Sequence, residues 1–187
     1  WTPFVQGGDA QGIGVATLGV GLSLDATAGN SLLVMLFSSQ TLIAHDSVSD
    51  SLGNTYTNIL TAADTGAIPS LRVSFWIATN IVGGPNTITG FWSGATGSAR
   101  QGIAFHEYTG LAASPVDQFS SNSQQTAIPT SGNITTLQAE ELLVGAVLYS
   151  SGVVTALPGT GYTERQNTGA VRPDFETEDQ VVSIIGT

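Results

Sequence analysis

Glycine, serine, threonine and asparagine interrupt this chain roughly every 8–12 residues, and no stretch between them carries a helical stripe with a cap. Apolar residues come instead in strict alternation or in short runs. Leu71, Val73, Phe75 and Ile77 alternate with Arg72, Ser74, Trp76 and Ala78, the period of a strand that buries one face and leaves the other to water or a partner. The runs "SLLVMLF" and "ELLVGAVLY" are apolar throughout and predict central strands covered on both faces. Strands are expected over 12–24, 31–37, 55–60, 71–81, 86–92, 102–108, 126–137, 141–149, 162–166 and 175–185. The turns between them, among them "SLGN", "GGPN", "SGATGS", "TSGN" and "LPGTG", supply the residues that tolerate positive φ. Many short strands at regular spacing predict one all-β, antiparallel sandwich domain over residues 1–187.

The chain also repeats itself. "AGNSLLVMLFSS" resembles "QAEELLVGAVLYSS", with the apolar cores 110 residues apart. Each core is preceded by a Thr/Gly-rich strand and followed by a Gly turn and Tyr-Thr, in "GNTYTNI" and "GTGYTER". Each then leads into a long strand, "LRVSFWIATNI" or "FETEDQVVSII". The first half adds "NTITGFW" and "GIAFHEY", whose counterparts do not follow in the second. The expectation is two similar halves, the second short of one or two strands, or roughly 20–30 residues. The start at Trp1 is read as that of a processed form or a piece of a longer chain.

The segments "AGNSLLV", "DSLGNTYTN", "SFWIATNIVGGPNTIT", "FHEYTGL…SPVDQ", "TSGNITTLQAEELLVG" and "TEDQVV…GT" resemble a domain of secreted bacterial surface proteins, similar to jelly-roll or lectin-like β-sandwiches. The resemblance spans nearly the whole chain and implies a jelly-roll-type sandwich. Its members continue past "GT" with final strands, so it also implies that C-terminal strands of the pattern are absent here; two readings of that are a truncated chain and a fold completed by a strand from a neighbouring subunit. The N-terminal region 1–24, with Ile13, Val15 and Thr17, is the candidate donor strand for that assembly.

Composition narrows the function. Charged residues make up 10% of the chain, 14 acidic against 4 basic, all of them arginine and scattered, for a formal net charge of −10; about 25% is ordinary. Phosphate backbones and anionic membranes need clustered cations, so nucleic acid and electrostatic membrane docking are excluded as partners. The longest apolar runs are far short of the ~20 residues that span a bilayer. With no cysteine there is no disulfide, thiolate metal site or thiol catalysis. Sheet edges are ordinarily guarded by lysine, proline or inward charge, and this chain has no lysine. Its surface is therefore expected to be largely neutral Ser, Thr, Asn and Gln, or covered on assembly.

Candidate chemistry is sparse. On a strand, Asp174, Glu176 and Glu178 share one face while Phe175, Thr177 and Asp179 share the other. Paired carboxylates of this kind serve glycoside hydrolysis in jelly-roll enzymes. Asp46, Asp50 and Asn54 are hard oxygen ligands in one turn, a candidate structural calcium site without EF-hand spacing. Trp76 and Trp92 are candidates for stacking on sugar rings. The two histidines each precede an acid, His45-Asp46 and His106-Glu107, and adjacent strand residues face apart, so neither pair is a dyad. "GIGVATLGVG" lacks the spacing and the helix of a phosphate cradle. No cofactor is expected. The reading that results is a non-enzymatic extracellular or cell-surface structural module, a subunit of a filament, fibre or virion appendage that homopolymerises by β-strand addition. A carbohydrate-binding, lectin-like module is the alternative, and a glycoside hydrolase the third reading.

Overall fold

The computed structural model describes residues 1–40, 42–64, 71–95, 97–124, 126, 128–150, 157–169 and 173–186. Among these there is no helix. The strands are β1 (Phe4–Ile13), β2 (Thr17–Gly21), β3 (Ser31–Ser38), β4 (Ala44–Asp50), β5 (Thr57–Ala63), β6 (Arg72–Ala78), β7 (Thr87–Ser93), β8 (Arg100–Tyr108), β9 (Glu141–Tyr149), β10 (Thr163–Asn167) and β11 (Asp174–Val182). They form sheet A, of five strands in the order β1-β8-β3-β6-β5, sheet B, in the order β2-β7-β4, and sheet C, in the order β10-β11-β9. Every pairing is antiparallel.

The fold is an all-β sandwich with an additional layer. Sheet A lies in the middle, and each of its faces has its own core. Leu32, Val34, Leu36, Ile103 and Phe105 pack against Val20, Val48, Ile88 and Trp92 of sheet B. Met35, Phe37 and Ala104, with Val73 and Phe75, pack against Phe175, Ala146 and Leu148 of sheet C. Strand β3 is buried along its whole length, as its unbroken apolar run predicts. The alternation in β6 is also as read, but both of its faces are covered: Val73 and Phe75 toward sheet C, Trp76 toward sheet B.

Three sequence expectations are corrected. Among its described residues the span 126–137 contributes no strand; Pro129 interrupts it and removes a ladder donor. Residues 12–24 are not one strand but the end of β1, a turn and β2, which pair with β8 and β7. The polar stretch read as a turn, "HDSVSD", instead lies in β4, an edge strand that buries Val48 and leaves Asp46, Ser47 and Ser49 exposed.

Three strands of each half correspond. In sheet A, β3 pairs with β6 and β6 with β5; in sheet C, β9 pairs with β11 and β11 with β10. Both outer ladders carry a one-residue bulge, at Ile59 and at Arg165, each three residues after the tyrosine of the shared Tyr-Thr. A bulge at one matched position in both halves is a feature of the repeat itself. The halves differ beyond β3 and β9. The far side of β3 takes β8 and then β1, whereas no described strand pairs with the far side of β9. The sequence reading of β9 as a central strand is thus corrected: among the described residues β9 is an edge strand, partly exposed throughout.

Candidate functional site

The bulge at Arg165 determines how sheet C is held. It lets two consecutive residues, Arg165 and Gln166, turn toward sheet A. Arg165 donates to both oxygens of Asp179, Nε and Nη2 each at 2.8 Å, and its guanidinium lies 3.7 Å from the centre of the Phe4 ring. The Tyr108 hydroxyl donates to Asp179 Oδ2 at 3.0 Å and lies 2.7 Å from His106 Nδ1. On the other side of the imidazole, Nε2 is 2.6 Å from Gln166 Oε1 and 3.0 Å from Thr177 Oγ1. Burial is the main cause that holds His106 down to about 4; the Gln166 bond and Asp179 oppose it and Arg165 reinforces it. This polar seam, with Phe37 stacked on Phe175, joins the two halves of the chain.

The carboxylates of β11 divide as alternation predicts. Thr177 and Asp179 point into the seam, and Glu178 points outward, where it accepts the Gly159 N–H at 2.6 Å. Gly145 of β9 faces Glu178: a Cβ there would lie 2.8 Å from Oε1 and 2.9 Å from Cγ. Glu176 is only 3% exposed and its Oε1 has no hydrogen-bond partner. Burial first, then Glu178 and Glu164, push its carboxyl up to about 8. At neutral pH Glu176 is therefore a covered, protonated side chain. Asp174 is buried as well.

The other expected sites are placed apart or are already engaged. Asp50 accepts the Leu52 and Asn54 N–H groups, both side-chain amides of Asn54 and Asn86, and the Tyr56 hydroxyl. Burial pushes its carboxyl up, but these bonds outweigh burial and hold it below the usual range. The carboxylate clamps a turn, and its lone pairs are taken by donors. Asp46 instead accepts the Ser93 hydroxyl at 2.9 Å. Trp92 is 2% exposed, a core residue with no face for a sugar, and Trp76 packs on the same core with its Nε1 donating to Ser74 Oγ at 2.9 Å. The two indoles form no shared platform. Ile13 ends β1, Val15 lies in the turn and Thr17 opens β2, so the backbone of the candidate donor pairs within its own chain, at one edge of sheet A and one of sheet B.

Two further polar clusters tie strands and loops together. Glu107 is fully buried and accepts from Gln6, Asn30 and the Thr27 N–H, closing the chain around β1. His45 lies 2.7 Å from Ser74 Oγ and 2.9 Å from Ser38 Oγ. Burial, aided by Arg72, holds it down to about 3. Both ring nitrogens face hydroxyls, so this histidine is a neutral strut between strands.

The far edge of β9 has a different character. Its sequence, "ELLVGAVLY", holds one charge, at its first residue, and no proline. Its ladder with β11 runs without a bulge. By contrast β4 and β10 carry charged residues and bulges, β5 is bulged, and β1 has Asp9 and three glycines. Of the sheet edges longer than the five residues of β2, that of β9 is the least guarded. No family model matches this chain, and no curated protein or solved structure matches it either.

Proposed function

We propose that this protein is a non-enzymatic structural module of an extracellular or cell-surface assembly, which joins copies of itself by β-strand addition with the edge of β9 as acceptor. The observation that carries the reading is the mismatch between the halves: β3 holds β8 on the side where β9 holds no described strand. The unpaired N–H and C=O groups of such an edge are satisfied by water or by a strand from another chain. A net charge of −10 sets copies against each other, and contact is least opposed where the surface is neutral, as it is along Leu142–Tyr149. The donor in this reading is the segment 12–24, which has no charged residue and leaves Ile13 and Leu24 55% and 62% exposed. Its strand β2 is a sheet edge held by β7 alone. A donor-to-acceptor contact of unlike surfaces repeats from copy to copy, which is the geometry of a fibre. The family of jelly-roll surface domains that the sequence resembles fits the same role.

Electron microscopy and light scattering over a concentration series test this. Polymers that grow with concentration are expected. Leu143→Lys, on the outward face of β9, and Ile13→Lys, on the donor, should each abolish them while circular dichroism stays unchanged. Both substitutions lower the net negative charge, so loss of polymer is not due to added repulsion. A chain that stays monomeric at millimolar concentration overturns the proposal.

A further inference from the structure

A cleft lies on the side of sheet C away from β9. It opens where the chain enters β1, beside the start of β10 and the end of β11, and has a volume of about 410 Å³. Ligand sites are typically concavities of about 300–1,000 Å³, mostly apolar, with a few polar groups that fix orientation. This cleft has both kinds of wall. Trp1, Phe4 and Val181 give it apolar surface, and Thr163 and Gln180 give it a hydroxyl and an amide.

Trp1 is 51% exposed, against 2% for Trp92, so its indole has surface to offer a ligand. It is also held in place. The Thr109 N–H donates to the Pro3 carbonyl at 2.8 Å, and Pro3 itself is buried. The indole edge meets Gly110, where a Cβ would lie 3.1 Å from Trp1 Nε1. Gly110 has a φ of 75°, which glycine adopts without strain. An exposed aromatic face on a pinned segment is a stacking platform formed in advance.

Charge decides the class of guest. Among the described residues, the charged side chains that line the cleft are Arg165 and Asp179. They neutralise each other through two bonds of 2.8 Å, and Asp179 also accepts the Tyr108 hydroxyl. The carboxylate is thus committed and not available to a cation, and the guanidinium is balanced against an anion. A net charge of −10 repels anions further. The fitting guest is neutral, with a flat apolar face for the indole and polar groups around its rim. A sugar ring has that form, C–H groups on its face and hydroxyls at its edge.

We infer that this cleft binds a neutral glycan, with one sugar ring stacked on Trp1 and its hydroxyls bonded to Thr163 and Gln180. Sugar recognition thereby moves from Trp76 and Trp92, which pack in the core, to an indole that is open. The cleft belongs to β10 and β11 and not to β9. Strand addition at β9 therefore leaves it free, and a copy within an assembly can still hold a glycan.

Affinity electrophoresis in gels cast with dextran, galactomannan or hydroxyethylcellulose tests the site, with mobility referred to a polymer-free gel so that self-association cancels. At least one of these neutral polysaccharides is expected to retard the chain, and the anionic polygalacturonate is not. Trp1→Ala should weaken binding about tenfold, the order of loss on truncating a central indole, with circular dichroism and melting temperature unchanged. Trp1→Tyr, which keeps an aromatic face, should retain part of the binding. Retardation by none of the neutral polymers, retardation by polygalacturonate, or binding that survives Trp1→Ala overturns the site. Equal loss in Trp1→Ala and Trp1→Tyr overturns the stacking. Each of these outcomes leaves strand addition at β9 standing.

Discussion

The rings of Phe37 and Phe175 lie 4.1 Å apart with planes 4° from parallel, one from each half of the chain and each almost completely buried. Stacked aromatic pairs contribute about 0.5–1.5 kcal/mol beyond their area burial. This one stands where sheet C meets sheet A. Phe175→Ala removes the pair and leaves a cavity between the sheets. It is expected to cost about 3–5 kcal/mol, measured by urea unfolding. Loss of near-ultraviolet signal with retained far-ultraviolet signal would identify detachment of sheet C rather than global loss of strands.

Gly102 of β8 gives Phe175 its place. A Cβ at residue 102 would lie 2.7 Å from Phe175 Cε1 and 3.1 Å from Pro173 Cγ, and neither ring can swing clear. Gly102→Ala is expected to destabilise the protein by about 1–3 kcal/mol. The double variant Gly102→Ala/Phe175→Leu should recover part of that loss. Equal loss in the two backgrounds would show that the strain lies elsewhere.

The ion pair of Arg165 and Asp179 is unequally exposed, with the arginine side chain at 22% and the aspartate at 5%. Removing the arginine leaves a covered carboxylate without its bidentate partner. Arg165→Met is therefore expected to cost more than the double variant Arg165→Met/Asp179→Asn, the difference being about 1–3 kcal/mol. A thermodynamic cycle by chemical unfolding measures it, and strict additivity would refute the coupling.

Stability should fall on both sides of a mildly acidic optimum. His106 and His45 are held down to about 4 and about 3, each mainly by burial, against 6.5 when unfolded. The unfolded chain takes up protons that the folded chain refuses. This contribution is complete above about 6.5 and is lost as the pH falls toward 4 and 3. Glu176 works in the opposite direction. Raised to about 8 by burial, from 4.5, it keeps a proton that the unfolded chain releases, so stability declines as the pH rises from 4.5 to 8. The maximum is expected near 6.5, below which the two histidines outweigh Glu176 and above which Glu176 alone acts. Glu176→Gln should flatten the alkaline limb and stabilise the protein at pH 9 by about 1–3 kcal/mol, read from melting temperatures across pH. An alkaline limb that is unchanged in this variant would remove Glu176 as its cause.

Periodicity made much of this fold legible. The unbroken apolar run of β3, the alternation of β6 and the split of β11 into Phe175, Thr177 and Asp179 against Glu176 and Glu178 all follow from a side-chain period of two. The same rule failed where other forces decided. β9 is as apolar as β3 but is an edge, because composition reports how well a strand can be buried and not whether another strand covers it. Strand β4 was hidden because an edge strand needs only one inward apolar residue, here Val48. Arg165 and Gln166 both reach sheet A only because a bulge breaks alternation, and a bulge leaves no mark on hydrophobic patterning. The matched Tyr-Thr segments were the one available signal, and they locate it in both halves. For the candidate site, the lack of a described counterpart to β8 was visible as an interruption of the repeat.

An acceptor strand discriminates poorly between guests. Backbone hydrogen bonds are the same for every sequence, and "LLVGAVLY" combines high β propensity with no charge and no proline, the composition that also nucleates amyloid-like stacking. Glu140 and Glu141 guard one end of this run, but its other end is tyrosine. When the chain is overproduced or kept concentrated, its solubility will be limited here before the well-buried layers are disturbed.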